Sequence, residues 1–443
     1  MKLLKSLLLG SAAALAATTG AQAADLPSKK SAPVEYVRVC SAYGAGFFYI
    51  PGTDTCLRVG GRVRAEYRYV EPFRRAADST GFRARGRLNV DARTQTGYGT
   101  LRAFFRYELT GDVGSYANAA SSSVNSTRSL VDKAFIQFAG ITAGRAQSFF
   151  DFYANDLNFQ DLRGSDNLNQ NLLAYTASFG SGFSATLSLE DATQRRTTNT
   201  FFTNAVAYAG ERMPDVVGVL RVDQGWGSAQ LSAAVHQIQA LNFAPAVGGV
   251  APYVDTEYGF AIQGGLKINL PMIAKGDVLW LQGAYADGAI GYLTAQNTPL
   301  GGGTTTAYVT TNNADGYVDG IGNMKKTKGY AITAGFLHYW TPEVRQGIYG
   351  SFMRLDYAAS VTSPVGLNGA RISGAATDQT EWRVGSNVIW SPVSGLDIGV
   401  EVLYVHLDPK GRITTNANYN PVLTKTVSSD GAWEGRLRIQ RDF

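Results

Sequence analysis

From Leu57 to the C terminus, apolar and polar positions alternate with the two-residue period of a strand. In residues 57–69, Leu57, Val59, Gly61, Val63, Ala65, Tyr67 and Tyr69 share one face, and Arg58, Gly60, Arg62, Arg64, Glu66 and Arg68 the other. Residues 82–95 repeat the pattern, with Phe82, Ala84, Gly86, Leu88, Val90, Ala92 and Thr94 set against Arg83, Arg85, Arg87, Asn89, Asp91, Arg93 and Gln95. A helix would place Arg83 and Arg87 beside Gly86 and Val90 without a coherent apolar stripe, so the pattern predicts strands. The same test predicts further strands at 98–110, 129–139, 140–146, 171–179, 183–191, 215–224, 228–238, 257–269, 277–287, 329–340, 344–357, 379–390, 396–406 and 431–443, sixteen in all. In 344–357 either face reads as the apolar one.

The connections carry more weight than any single strand. Short turns such as Thr96-Gly97, Gly180-Ser181-Gly182, Gly225-Trp226-Gly227 and Thr341-Pro342-Glu343 alternate with long segments at 70–81, 111–128, 147–170, 192–214, 239–256, 288–328, 358–378 and 407–430. An even strand count with loop length sorted by end describes an all-β antiparallel transmembrane barrel, with short periplasmic turns and long external loops. A ring of this size is too wide for side chains to fill, so the polar face lines an aqueous lumen and the apolar face meets lipid. Tyr67, Tyr69, Trp390, Tyr404 and Trp433 fall near strand ends, where aromatic girdles are expected.

Composition fits this picture. The chain has 50 Gly, 23 Tyr and 21 Phe, yet its mean hydropathy is −0.10. Beyond the first residues no run approaches the ~18 apolar residues of a membrane helix. Lumen-facing and lipid-facing residues average out in a barrel wall. At the start, Lys2 and Lys5 precede the uncharged stretch Leu7–Ala17 and the small-x-small site Ala21-Gln22-Ala23. This predicts an export leader over residues 1–23 and a mature start at Ala24. The formal charge of +5 falls by two lysines with the leader, too mild a balance to call for nucleic acid. Cys40 and Cys56, the only cysteines, flank a Gly- and Pro-rich stretch. In an exported chain they are expected as one disulfide, worth about 3 kcal/mol by loop closure, in an N-terminal periplasmic segment over 24–56. The barrel then occupies 57–443.

The last strand carries Trp433, Gly435, Leu437 and Ile439 toward a terminal Phe443. This resembles the targeting signature by which outer-membrane barrels reach the barrel-assembly machinery. The stretches Ala24-Asp25-Leu26-Pro27, Cys40-Ser41-Ala42-Tyr43-Gly44, Ile50-Pro51-Gly52-Thr53-Asp54-Thr55-Cys56-Leu57 and Gly60-Gly61-Arg62-Val63-Arg64 resemble the alphaproteobacterial, rhizobial-type porins. That resemblance covers the mature chain. It implies a homotrimeric, sixteen-stranded general-diffusion channel for ions and small hydrophilic solutes, set in outer-membrane lipid and lipopolysaccharide, with its third external loop folded into the lumen.

Within that frame, Arg62, Arg64, Arg85, Arg87, Arg102 and Arg106 fall near mid-strand on the polar faces and predict a basic wall. The third long connection, 147–170, carries Asp151, Asp156, Asp161 and Asp166 with Phe149, Phe150, Phe152, Tyr153 and Phe159. The aromatics are expected to dock the loop and some of the aspartates to face the arginines, creating a transverse field across a constriction. No catalytic role, cofactor or metal site is expected. His236, His338 and His406 lie on three different strands without a G-x-S-x-G nucleophile signature, and Asn313–Asn323, with Asp315 and Asp319, matches no calcium loop. Two other readings stay open: a receptor or adhesin acting through its external loops, and a substrate-specific channel.

Overall fold

The computed structural model describes residues 38–72, 78–118, 125–164, 168–197, 208–241, 254–294, 313–318, 323–358, 371–372, 377–411, 413–414 and 426–443. The leader expected over 1–23, together with Asp166 and Asp319, lies outside the described residues. The chain divides at Cys56/Leu57 into two compact units. In the first, Cys40 and Cys56 form a disulfide with an S–S distance of 2.00 Å. Around it pack Phe47, Tyr43 and Tyr49, and the Arg38 guanidinium lies 4.0 Å over the Tyr49 ring.

The second unit is the barrel. Its strands are β1 (Cys56–Val70), β2 (Thr80–Thr96), β3 (Gly99–Gly114), β4 (Asn125–Phe138), β5 (Ile141–Gln147), β6 (Asn169–Gly180), β7 (Phe183–Glu190) and β8 (Asp215–Gln224). They continue with β9 (Gly227–Ile238), β10 (Glu257–Asn269), β11 (Val278–Asp287), β12 (Lys328–Tyr339), β13 (Val344–Asp356), β14 (Gln379–Val393), β15 (Leu396–Pro409) and β16 (Asp430–Asp442). Each strand pairs with its sequence neighbours, and β16 returns to β1 in the register Arg62↔Asp442 through Val70↔Glu434. Closure removes every sheet edge, so the backbone polar groups are paired within the wall, as lipid demands. The sixteen strands expected from alternation are thus all present.

Several strands run past their expected ends, β3 and β4 by four residues each. β3 continues to Gly114 and β4 begins at Asn125, because Asp112 forks onto Arg83 at 2.6 Å and onto Arg128 at 2.8 Å. These ion pairs sustain a ladder into the segment 111–128 expected as a long connection. Where β1 meets the C terminus, the Phe443 amide donates to the Gly61 carbonyl at 3.0 Å and the Gly61 amide to the Phe443 carbonyl at 2.8 Å. A Cβ on Gly61 would run into the Arg87 carbonyl and the Phe443 ring, so glycine is required for this close approach.

Exposure settles which face is which. Val63, Ile348 and Val400 are 57%, 53% and 54% exposed, whereas the neighbouring Glu401 is fully buried. The apolar face points outward and the polar face inward, including in β13, where Ile348 and Phe352 take the outer side. Tyr67, Tyr69, Trp390 and Trp433 are exposed outward, and Tyr404 packs against Trp433 at 4.8 Å. No helix among the described residues is long and apolar enough to cross a membrane.

Candidate functional site

The connection between β5 and β6 lies against the inner wall. Residues 148–164 run along the inward faces of consecutive strands from β9 to β16. The Phe150 carbonyl accepts from Gln263 Nε2 at 2.8 Å and from Ser232 Oγ at 3.0 Å. The Tyr153 amide donates to Gln282 Oε1 at 2.9 Å, and the Arg163 amide to Ser351 Oγ at 3.0 Å. Phe159 donates its amide to Glu401, while its carbonyl accepts from Arg436 on β16. These partners all belong to the polar face, so the loop lies inside the barrel.

Each end of the loop is fastened by buried charge. Asp151 accepts from Arg195 Nη2 at 2.6 Å and from the Leu168 amide at 3.2 Å. Ser148 Oγ and the Phe149 amide donate to Glu190 at 2.6 and 3.0 Å. Farther along, Arg163 Nε donates to Glu381 Oε1 at 2.7 Å, both side chains essentially inaccessible to solvent. Gly164, at φ +67°, presses against the Ala331 methyl, where a side chain would be strained and crowded. The loop aromatics dock as expected: Phe150 on Tyr292 at 4.5 Å, and Phe152 and Tyr153 on Trp280 at 5.2 and 5.3 Å. Phe159 instead lies 3.9 Å beneath the Arg438 guanidinium.

The loop leaves a cavity between itself and strands β1–β4. Arg62, Arg64, Arg85, Arg87 and Arg106 line it on one side, and Asp156 and Asp161 on the other. Arg102, expected in the same wall, lies outside this lining and forks onto Asp91 at 3.0 and 2.9 Å, lower on β2. Asp151 also departs from expectation, because its carboxylate is buried against Arg195 and turned to holding the loop. Alternation along a strand finds the arginines but is silent about a loop carboxylate whose partner sits in another loop. Lys133, Arg145, Arg345 and Arg438 also line the cavity. Of these, Arg438 was accessible to the same reasoning, since it lies on the polar face of the last strand.

Several wall charges are already paired. Arg62 Nε meets Asp442 at 2.5 Å, Arg345 meets Asp397 at 2.7 Å, and Arg87 meets Glu108. Asp156 opens onto the lumen but is enclosed by the barrel. Partial desolvation there raises its carboxyl above the usual range, while the Lys267 ammonium draws it back.

The histidines form no common site. His236 is buried with Nδ1 on Asp215 at 2.8 Å and Nε2 on Tyr208 at 3.0 Å; His338 bonds Asp277 at 2.7 Å, and His406 stacks on Trp382. Asp315, weighed above as part of a cation loop, accepts from the amides of Thr197 and Ile290 and from Tyr208. It pins external segments together. Among the described residues no group of three or more carboxylate, histidine or cysteine side chains is placed to hold a metal ion.

With this geometry in hand, comparison with known proteins is specific. A family model described as "Porin subfamily" matches residues 25–435. Porin Omp2b of Brucella canis is 31% identical over 99% of both chains, and Porin Omp2b of Brucella neotomae 37% identical over the same shares. Among solved structures, the outer-membrane channel DcaP of Acinetobacter baumannii shares the fold at 16% identity. Its TM-score is 0.61, over 89% of this chain and 99% of that one.

Proposed function

The chain belongs to the porin subfamily, and from that membership we propose that the inward loop and the arginine wall of β1–β4 form the constriction of its channel. It is a bacterial outer-membrane β-barrel, a general-diffusion channel for ions and small hydrophilic solutes. The observation that carries the constriction is the loop's attachment: inward side chains of successive strands from β9 to β16 hold it against one wall. Two of its carboxylates, Asp156 and Asp161, line the same cavity as Arg62, Arg64, Arg85, Arg87 and Arg106. Acid opposite base produces a field across the path, which orients dipolar solutes and repels apolar ones.

Around this core the fuller assembly takes shape. Residues 1–23 serve as the export leader, and 24–56, with the Cys40–Cys56 link, as a periplasmic segment. The barrel-assembly machinery reads the last strand through Phe443, and lipopolysaccharide surrounds the outer rim. Three copies associate. An outward apolar groove over β1–β3, floored by Ala65, Ala84 and Gly111 between Tyr67, Phe82 and Val113, supports close packing of one barrel on another. Catalysis plays no part in this reading.

Planar-bilayer recording of the folded protein tests it. Openings in groups of three, with liposome swelling by small sugars that fades as the sugars grow, are the expected result. Single independent openings would contradict the trimer, and swelling indifferent to solute size would contradict the constriction.

A further inference from the structure

A charged lumen prefers the sign of ion that its uncompensated charges attract, so the pairing within the cavity decides its selectivity. Arg62, Arg87 and Arg345 each hold a carboxylate closely, and such pairs present a dipole with little net field. Arg64, Arg106 and Lys133 are different. Arg64 directs Nε and Nη2 to the amide oxygen of Gln440, at 3.0 and 2.7 Å, and forms no ion pair within 4.0 Å among the described residues. Arg106 donates to Asn89 at 2.9 Å and reaches Asp132 only at 3.4 Å. Lys133 makes no hydrogen bond or ion pair within that limit among the described residues, although it lines the cavity. Of the nearby carboxylates, Glu66 is held by Arg438 at 2.7 Å, while Asp132, which also accepts from Asn169 at 2.7 Å, is one charge set against both Arg106 and Lys133. Moreover, Arg106 and Lys133 are directly opposed across the β3–β4 ladder, an arrangement that costs free energy unless a negative charge sits between them.

Resting on the channel reading above, we propose that the lumen prefers anions and that Arg64, Arg106 and Lys133 form a binding station for small oxyanions. A guanidinium fork matches two oxygens of a phosphate or carboxylate, and the lysine adds a compact point charge. The cavity is lined by nine arginine and lysine side chains against six carboxylates, so Asp156 and Asp161 on the loop oppose this excess but do not cancel it. One uncompensated unit charge about 8 Å from an ion in water enriches the counter-ion roughly twofold. The preference weakens as salt rises, from about 0.1 M, where screening extends ~10 Å, to 1 M, where it extends ~3 Å.

The test uses the intact folded protein in planar bilayers under a potassium chloride gradient near 0.1 M, with inorganic phosphate as the probe. A reversal potential showing chloride at least about twofold more permeant than potassium is expected, with chloride current reduced by phosphate. Arg64→Gln, Arg106→Gln and Lys133→Gln are each expected to weaken that block and move the reversal potential toward potassium. Lys410→Gln, on an exposed external loop, leaves both unchanged. A potassium-preferring or unselective wild-type channel overturns the inference and leaves the channel reading standing. Phosphate without effect on an anion-preferring channel overturns the binding station. A folded barrel that never conducts overturns the channel reading itself.

Discussion

At the scale of single residues, function rests on which charges stay free once the wall has paired the rest. Asp156 and Asp161 are loop carboxylates that face the cavity, while Asp151 is taken by Arg195. Replacing both, Asp156→Asn with Asp161→Asn, is expected to move the reversal potential further toward anions while leaving the barrel folded. An unchanged potential would show that permeating ions do not feel the loop. Because its surroundings raise the Asp156 carboxyl, that group takes up its proton at a higher pH than an ordinary aspartate. As pH falls the loop therefore loses this negative charge before an ordinary aspartate would, and anion preference increases over that range. Reversal potentials recorded across that range check this, and Asp156→Asn is expected to flatten the curve. Arg62, Arg64, Arg85, Arg87 and Arg106 were legible in the sequence because strand alternation fixes the face of each. Asp151 was not, because its partner lies 44 residues away in a different loop.

Among the elements, the strands and the inward loop obey different rules. A strand is visible in the period of its own residues, and even the short β5 reads correctly (140–146 expected, Ile141–Gln147 observed). The loop's course has no period. It follows from hydrogen bonds to Gln263, Gln282, Ser351 and Glu401, residues that along their own strands look only like lumen-facing polar positions. The aromatics of 149–159 hinted at docking but not at the route. The buried Arg163–Glu381 pair is the firmest fastening. Removing Arg163 leaves Glu381 with Arg383 Nε, at 2.7 Å, so what is lost is the loop's own charged hydrogen bonding, about 1.5–3 kcal/mol. Arg163→Ala is therefore expected to release the C-terminal half of the loop from β14 while the closed wall persists. Limited proteolysis is expected to cut the variant between Asp156 and Gly164, where the wild type resists. Equal resistance would show that this pair does not hold the loop.

For the molecule as a whole, architecture was the most legible level. Sorting of loop lengths by end, an even strand count and an apolar face without any apolar run leave a closed barrel as the physical solution. Its oligomeric state was not legible, because small outward residues in β1–β3 permit close packing without requiring it. The central claim is that one loop, bound to the inner wall, narrows a diffusion channel. Single-channel conductance of the wild type beside a variant with residues 152–163 replaced by a short glycine-serine bridge tests that claim most directly. Openings in both proteins, with clearly larger steps in the shortened one, are the expected result. Steps of equal size would contradict the claim, since a loop whose removal leaves the current unchanged does not set the width of the path.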